Sequence, residues 1–132
     1  MLLFIFYIFT YINTYVNICV SGGYKLNIIY TKSYNNSFKK LKNHHKEKEE
    51  LNDILDYLRS KKSFSSIIDD SISKIYGFER LKYQYSDFYS MRLSKTIRLI
   101  IRPRDNDIEL YLIYISTKHY DDFDLGKVIY DE

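Results

Sequence analysis

The chain has 132 residues, which suffices for one domain with a modest core. Its single cysteine, Cys19, excludes an internal disulfide framework. The chain has three histidines and no further cysteine, so no structural zinc site is expected. The formal charge of +3 is unevenly distributed, because residues 25–104 carry 18 basic and 9 acidic groups while residues 105–132 carry 2 basic and 8 acidic groups. A body with this basic excess favours a polyanionic partner such as RNA.

Residues 1–20 form an almost unbroken apolar run that is about as long as a bilayer span. Three interpretations of the uncharged segment 1–24 stay open. A signal peptide lacks the usual basic start, and a membrane anchor is weakened by Asn13 and Asn17. In the third, residues 21–23 are encoded by a ribosome-binding sequence, and the true protein starts at Leu26. The third interpretation predicts a cytoplasmic bacterial protein, and the others a membrane-associated or exported one.

The hydrophobic spacing of the first half predicts a strand followed by a helical hairpin. Leu26–Thr31 is short, apolar and rich in β-branched residues, as is typical of a strand. Ser33 is the expected N-cap of the first helix, and the second helix is expected over residues 46–60. The second helix carries one apolar stripe: Leu51, Ile54, Leu55 and Leu58. Residues 63–75 predict a further short helix, capped by Ser65 or Ser66.

From Gly77 onward the hydrophobic period changes to two, which predicts an antiparallel β-meander. Its strands are expected over Glu79–Tyr85, Phe88–Ser94, Ile97–Arg102 and Ile108–Ser116, with a turn over Pro103–Asp107. The predicted class is therefore α+β, with an N-terminal strand and a helical hairpin packed on a twisted antiparallel meander. This domain spans residues 25–120, and an acidic tail follows over residues 121–132.

Arginine is concentrated in the predicted meander. The chain has 14 lysines and 6 arginines, and five of the arginines lie within 25 residues: Arg80, Arg92, Arg98, Arg102 and Arg104. A solvated strand face with spare charge is one explanation. A phosphate-binding surface is favoured, because arginine presents a planar fork of donors that lysine lacks.

Four fragments of the sequence resemble a known superfamily when taken in order: Glu79-Arg80-Leu81-Lys82, Phe88–Leu93, Ile97-Arg98-Leu99 and His119-Tyr120. They resemble the RelE/ParE toxins of bacterial toxin–antitoxin modules, and within these the YoeB-like branch, over about residues 26–120. The resemblance implies a RelE-like fold and a ribosome-dependent mRNA endoribonuclease that needs neither metal nor cofactor. It also implies a cognate antitoxin, the ribosome and mRNA as partners. A homodimer stays open, and a membrane is expected as a partner only if residues 1–20 are translated.

The same resemblance assigns roles to individual side chains. Glu79 would be the general base, and His119 the general acid that protonates the leaving 5′-oxygen. Arg98 would bind the scissile phosphate, and Tyr120 would orient or stack on the substrate nucleotide. Flanking phosphates would be held by three basic side chains: Lys82, Arg92 and Arg102.

Three other functions remain open at this stage. One is a ParE-like toxin that inhibits DNA gyrase, and another is an inactive homologue that only binds its antitoxin. The third is a membrane-tethered or exported basic domain, which requires that residues 1–20 are translated. ParE-like relatives typically lack the set formed by Glu79 and His119-Tyr120, so the ribonuclease is favoured. The chain departs from the family pattern in the segment 63–75 and in the twelve residues after Tyr120. An acidic tail there would repel RNA, or it would fold back on the basic residues of the domain and take the place of RNA.

Overall fold

The structure is a computed structural model and describes residues 25–104 and 106–117. Helices cover one face of a five-stranded sheet within this part of the chain. Its elements, in chain order, are β1 (Asn27–Tyr30), α1 (Lys32–Phe38), α2 (His45–Arg59), α3 (Ser65–Ile68), α4 (Ser71–Ile75), β2 (Glu79–Arg80), β3 (Tyr89–Arg92), β4 (Arg98–Arg104) and β5 (Glu109–Ser116). The predicted α+β class is confirmed, while the predictions for residues 1–24 and 121–132 concern segments outside the described residues. No helix in the described ranges is long and apolar enough to cross a membrane.

The strand order is β1-β5-β4-β3-β2, and strands β2 to β5 form the expected antiparallel meander. The edge strand β1 lies parallel to β5, with Asn27 opposite Glu109. This pairing makes the sheet mixed, which the alternation of apolar residues did not predict. β5 is paired on both sides, in agreement with its apolar character on both faces.

The first helix is capped by Thr31 and not by Ser33, so the sequence prediction was wrong here. The Thr31 hydroxyl accepts a hydrogen bond from the Tyr34 backbone N–H at 3.1 Å and donates to the Leu112 carbonyl at 2.8 Å. It thereby satisfies one of the unpaired donors of the helix start and joins α1 to β5. Ser33 lies in the first turn, where it is buried.

The main core lies between the helices and one face of the sheet. The predicted stripe on α2 is confirmed, since Leu51, Ile54 and Leu58 are at most 1% exposed. They belong to the same cluster as Leu99 and Leu112 of the sheet. Each such side chain contributes roughly 1.5–3 kcal/mol through burial. The sheet face turned away from the helices is called the open face here, and it holds a smaller apolar cluster: Leu81, Phe88, Ile100 and Ile113.

The segment 63–75 forms two short helices instead of one. Asp70 caps α4 by accepting from the Ile72 backbone N–H at 3.2 Å, and the predicted caps Ser65 and Ser66 fall inside α3. The Asp70 carboxylate also lies 2.5 Å from the Lys61 ammonium and accepts from the Tyr57 hydroxyl at 2.7 Å. Asp70 therefore ties the segment to the end of α2.

These contacts predict a pH dependence of stability. Hydrogen bonds from Lys61 and then Tyr57 lower the pKa of Asp70 from 3.8 to about 2. Because the folded pKa is depressed, the stabilisation is present above the unfolded pKa and is lost as the pH falls from about 4 to about 2. We expect Asp70→Asn to lower the urea midpoint of unfolding at neutral pH. The difference in midpoint between this variant and wild type should shrink as the pH falls from about 4 to about 2. Asp69→Asn, an exposed neighbour, is the control, and an equal pH response in both variants would contradict the assignment.

Helix α4 ends in a Schellman motif that leads directly into β2. The Phe78 N–H donates to the Ser73 carbonyl at 3.1 Å, and the Gly77 N–H donates to the Lys74 carbonyl at 3.0 Å. Gly77 has φ +66°, the left-handed conformation that this motif requires. The motif reverses the chain at Gly77 and so fixes where Glu79 begins the sheet.

Gly77 is expected to resist substitution. A Cβ atom at this position would lie 3.0 Å from the Arg92 Cβ, so Gly77→Ala adds a close contact to a strained backbone. The left-handed backbone alone costs about 1–2 kcal/mol for an L-residue, and the free energy of unfolding in urea should fall by at least that amount. Gly77→Asn should lose less, because asparagine tolerates this conformation better. An alanine variant as stable as wild type would show that the turn is not needed.

Candidate active site on the open sheet face

Glu79 is positioned by the turn at Gly77 and by an aromatic contact on the helical side of the sheet. Phe78 stacks on Tyr89 with a ring separation of 5.2 Å and an interplanar angle of 11°. β2 comprises two residues and not the seven predicted, because Tyr83 adopts φ +59° in a 3-10 turn over Tyr83–Tyr85. The Glu79 side chain points to the open face, since it lies opposite Ser90 in β3.

Arg98 reaches Glu79 across an intervening strand. A guanidinium nitrogen of Arg98 lies 3.0 Å from a carboxylate oxygen of Glu79, although the two residues belong to β4 and β2. Two strand spacings separate their backbones, roughly 9–10 Å, so the long arginine side chain must pass over β3. The Arg98 side chain is 12% exposed and that of Glu79 is 44% exposed. Glu79 is thus reachable from solvent, while Arg98 is largely held in place.

A second arginine stands beside this ion pair. Arg92 of β3 lies opposite Arg98 of β4 in the antiparallel register, and Gly77 leaves room for its side chain. Like charges directly opposite each other destabilise a strand pair. The arrangement is therefore costly for folding alone and favourable for binding an anion.

The other two predicted phosphate-binding residues lie farther from the ion pair. Arg102 is near the opposite end of β4, where it lies 3.9 Å from the Asp87 carboxylate and over the Phe88 ring. Lys82 is exposed and follows β2 at the entrance to the 3-10 turn. The structure brings together Glu79, Arg98 and Arg92, and it places Arg102 and Lys82 at the margin.

His119 and Tyr120 lie outside the described residues, so their predicted roles are not tested. The described chain reaches Thr117, directly after Ser116, which is the register partner of Arg98 on β5. Within the described ranges there is no group of three or more His, Cys, Asp or Glu side chains that could hold a metal ion.

Sequence reasoning missed two residues of this face. Gly77 contacts the Arg92 side chain and sets the start of β2. Ser90 lies on β3 between Glu79 and Ile100 and is fully buried. The signal for Ser90 was its place between Phe88 and Arg92 in the period-two pattern, as a small polar residue on an otherwise large-residue face.

A comparison of the chain with protein-family models gave no match, and neither did a comparison with curated proteins. Solved structures do match. The DinJ–YafQ toxin–antitoxin complex of Escherichia coli aligns with a TM-score of 0.55 and 16% identity over 75% of this chain and 98% of that one. The YoeB/ParE toxin from Agrobacterium tumefaciens gives 0.54 and 18% over 72% and 100%.

A third structure, a metal-bound toxin from Helicobacter pylori, gives a TM-score of 0.54 and 17% identity over 74% of this chain and 99% of that chain. The chain has the RelE-like toxin fold. The alignments span almost the whole of each matched chain and about three quarters of this one. At this level of identity the comparison establishes the fold, and it confirms the resemblance as far as architecture goes.

Proposed function

We propose that this protein is the toxin of a type II toxin–antitoxin system and that it cleaves mRNA on the ribosome by acid–base chemistry. The observation that carries the proposal is the 3.0 Å contact between Glu79 and Arg98 on the open face. The sequence resemblance gives these two positions the roles of base and phosphate ligand. A partly exposed ion pair of this kind contributes about 0–1 kcal/mol to stability. A gain in folding stability is therefore a weak reason for this contact between β2 and β4.

The proposed reaction is an attack of a ribose 2′-oxygen on the adjacent phosphorus. Glu79 removes the 2′-OH proton as the O2′–P bond forms, and the P–O5′ bond breaks as His119 protonates the leaving 5′-oxygen. The products are a 2′,3′-cyclic phosphate and a 5′-hydroxyl end. Arg98 neutralises charge that develops on the phosphoryl oxygens. Arg92 holds an adjacent phosphate, and Tyr120 stacks on the nucleotide.

The partners follow from the same proposal. The ribosome supplies a positioned mRNA, because one small sheet face with three clustered side chains offers few contacts to free RNA. A cognate antitoxin whose acidic or apolar segment covers the basic face would inhibit the toxin. The structure of YafQ bound to the antitoxin DinJ, which shares the fold, supports such a partner. The compartment proposed for this activity is the bacterial cytoplasm.

The proposal is tested by expressing the chain in bacteria and measuring growth arrest. The double variant Glu79→Ala, His119→Ala should abolish the arrest, and co-expression of the small protein encoded by the neighbouring reading frame should relieve it. A double variant that remains as toxic as wild type would remove the nuclease proposal. A loss of gyrase-dependent DNA supercoiling in the arrested cells would indicate the ParE-like alternative. An absence of growth arrest with the wild-type protein as well as with the double variant would indicate an inactive homologue.

A further inference from the structure

Ser90 has an unsatisfied hydroxyl group inside the candidate site. The residue is 0% exposed, and its Oγ has no hydrogen-bond partner within the described part of the chain. Buried polar atoms without a partner are rare in proteins, because such an atom loses its hydrogen bonds to water and gains none in return. Ser90 is the one buried side chain in the described ranges with this defect, so its position is informative.

Ser90 lies under the path that Arg98 takes to Glu79. It is directly opposite Glu79 on β2 and opposite Ile100 on β4, and all three side chains point to the open face. Directly opposed residues of an antiparallel pair have Cβ atoms roughly 4.5–5.5 Å apart. A serine hydroxyl at that separation can approach the Glu79 carboxylate when both side chains rotate. The small side chain also leaves room for the Arg98 guanidinium to cross β3.

We propose that Ser90 is a positioning residue that donates a hydrogen bond to Glu79 when a substrate phosphate draws Arg98 away. In the free protein Glu79 accepts from Arg98 at 3.0 Å. A phosphate competes for the same guanidinium, because arginine binds phosphate in a bidentate manner. The Ser90 hydroxyl then holds one carboxylate oxygen, and the other oxygen stays directed at the 2′-OH. No covalent bond is made or broken by Ser90.

This inference rests on the proposed function, and it predicts an unusual pair of effects for Ser90→Ala. Stability in urea should be unchanged or higher, because the hydroxyl has no partner in the free protein. The turnover rate on mRNA-programmed ribosomes should fall about 10-fold or more with KM little changed, a loss typical of a misplaced catalytic group.

Two further variants separate a positioning role from a packing role. Ser73→Ala removes a buried hydroxyl that does have a partner, the Asp70 carbonyl at 2.7 Å, so it should lower stability and leave the turnover rate of the folded protein unchanged. In a Glu79→Gln background, Ser90→Ala should add no further loss, because Ser90 acts through Glu79. A Ser90→Ala protein with wild-type turnover, or an additive loss in the double variant, would overturn the inference while leaving the nuclease in place. A wild-type protein that cuts no mRNA would overturn both.

Discussion

Replacing Glu79 with glutamine is expected to lower the rate of mRNA cleavage on programmed ribosomes by about 10²–10⁴-fold, the usual contribution of a positioned general base. Glutamine has the same shape and can still accept from Arg98, so the ion pair becomes a hydrogen bond from the charged guanidinium to a neutral amide oxygen. The free energy of unfolding should change by no more than about 1 kcal/mol. The loss therefore reports on chemistry and not on folding, and it is measured as a single-turnover rate at saturating protein.

The matched control for this variant is Glu109→Gln. Glu109 is a partly exposed carboxylate on β5, opposite Arg104 at the end of β4 that lies away from Arg98. It is changed in the same chemical way outside the proposed site, and its cleavage rate should stay within a few-fold of wild type. Equal losses in both variants would mean that carboxylates support the fold or the general charge balance, and Glu79 would lose its assigned role.

Replacing Arg98 with alanine is expected to reduce the cleavage rate by about 10²–10³-fold, the cost of losing one donor that stabilises transition-state charge. Arg98→Lys should recover only part of this loss, because lysine keeps the charge but lacks the planar fork. The lysine side chain is also shorter and ends in one ammonium group, which must cross β3 to reach the phosphate beside Glu79. The measurement is again the single-turnover rate, together with the urea midpoint of each variant.

Arg104→Ala serves as the control for the arginine variants. Arg104 belongs to the same strand, six residues from Arg98, and lies over the Tyr111 ring. We expect at most about a tenfold loss, because a peripheral phosphate contact positions the RNA and does not stabilise the transition state. A full recovery of activity by Arg98→Lys would indicate that only net charge matters at this position, and a severe loss in Arg104→Ala would place the active centre elsewhere on β4.

The parts of the fold with a strong hydrophobic period were predictable from the sequence. The stripe on α2 and the alternation in β3 and β4 each put the expected residues into the core, because burial is the main term that decides those positions. The strand β4 nevertheless continues through Pro103, which was assigned to a turn. β3 extends only to Tyr89, the partner of Ile101, so the proline lies beyond the segment where β4 pairs with β3. Its missing N–H therefore interrupts no bond between these two strands.

Features that depend on contacts distant in sequence were not predictable. Thr31 became the cap because its hydroxyl also reaches Leu112, 81 residues away. The parallel pairing of β1 with β5 likewise depends on the packing of the helices between them in the chain. The site follows the same rule: the resemblance suggested that Glu79 and Arg98 act together, whereas the unpaired hydroxyl of Ser90 is visible only once the three strands are aligned.

The most direct test of the nuclease proposal is the mapping of mRNA ends in a translating extract by primer extension. Addition of the wild-type protein should produce new ends inside codons at the position of ribosomes, with 5′-hydroxyl downstream fragments and 2′,3′-cyclic phosphate upstream fragments. The Glu79→Gln protein should produce none above background. Intact mRNA in the presence of folded wild-type protein, or cleavage that persists in the Glu79→Gln variant, would contradict the account.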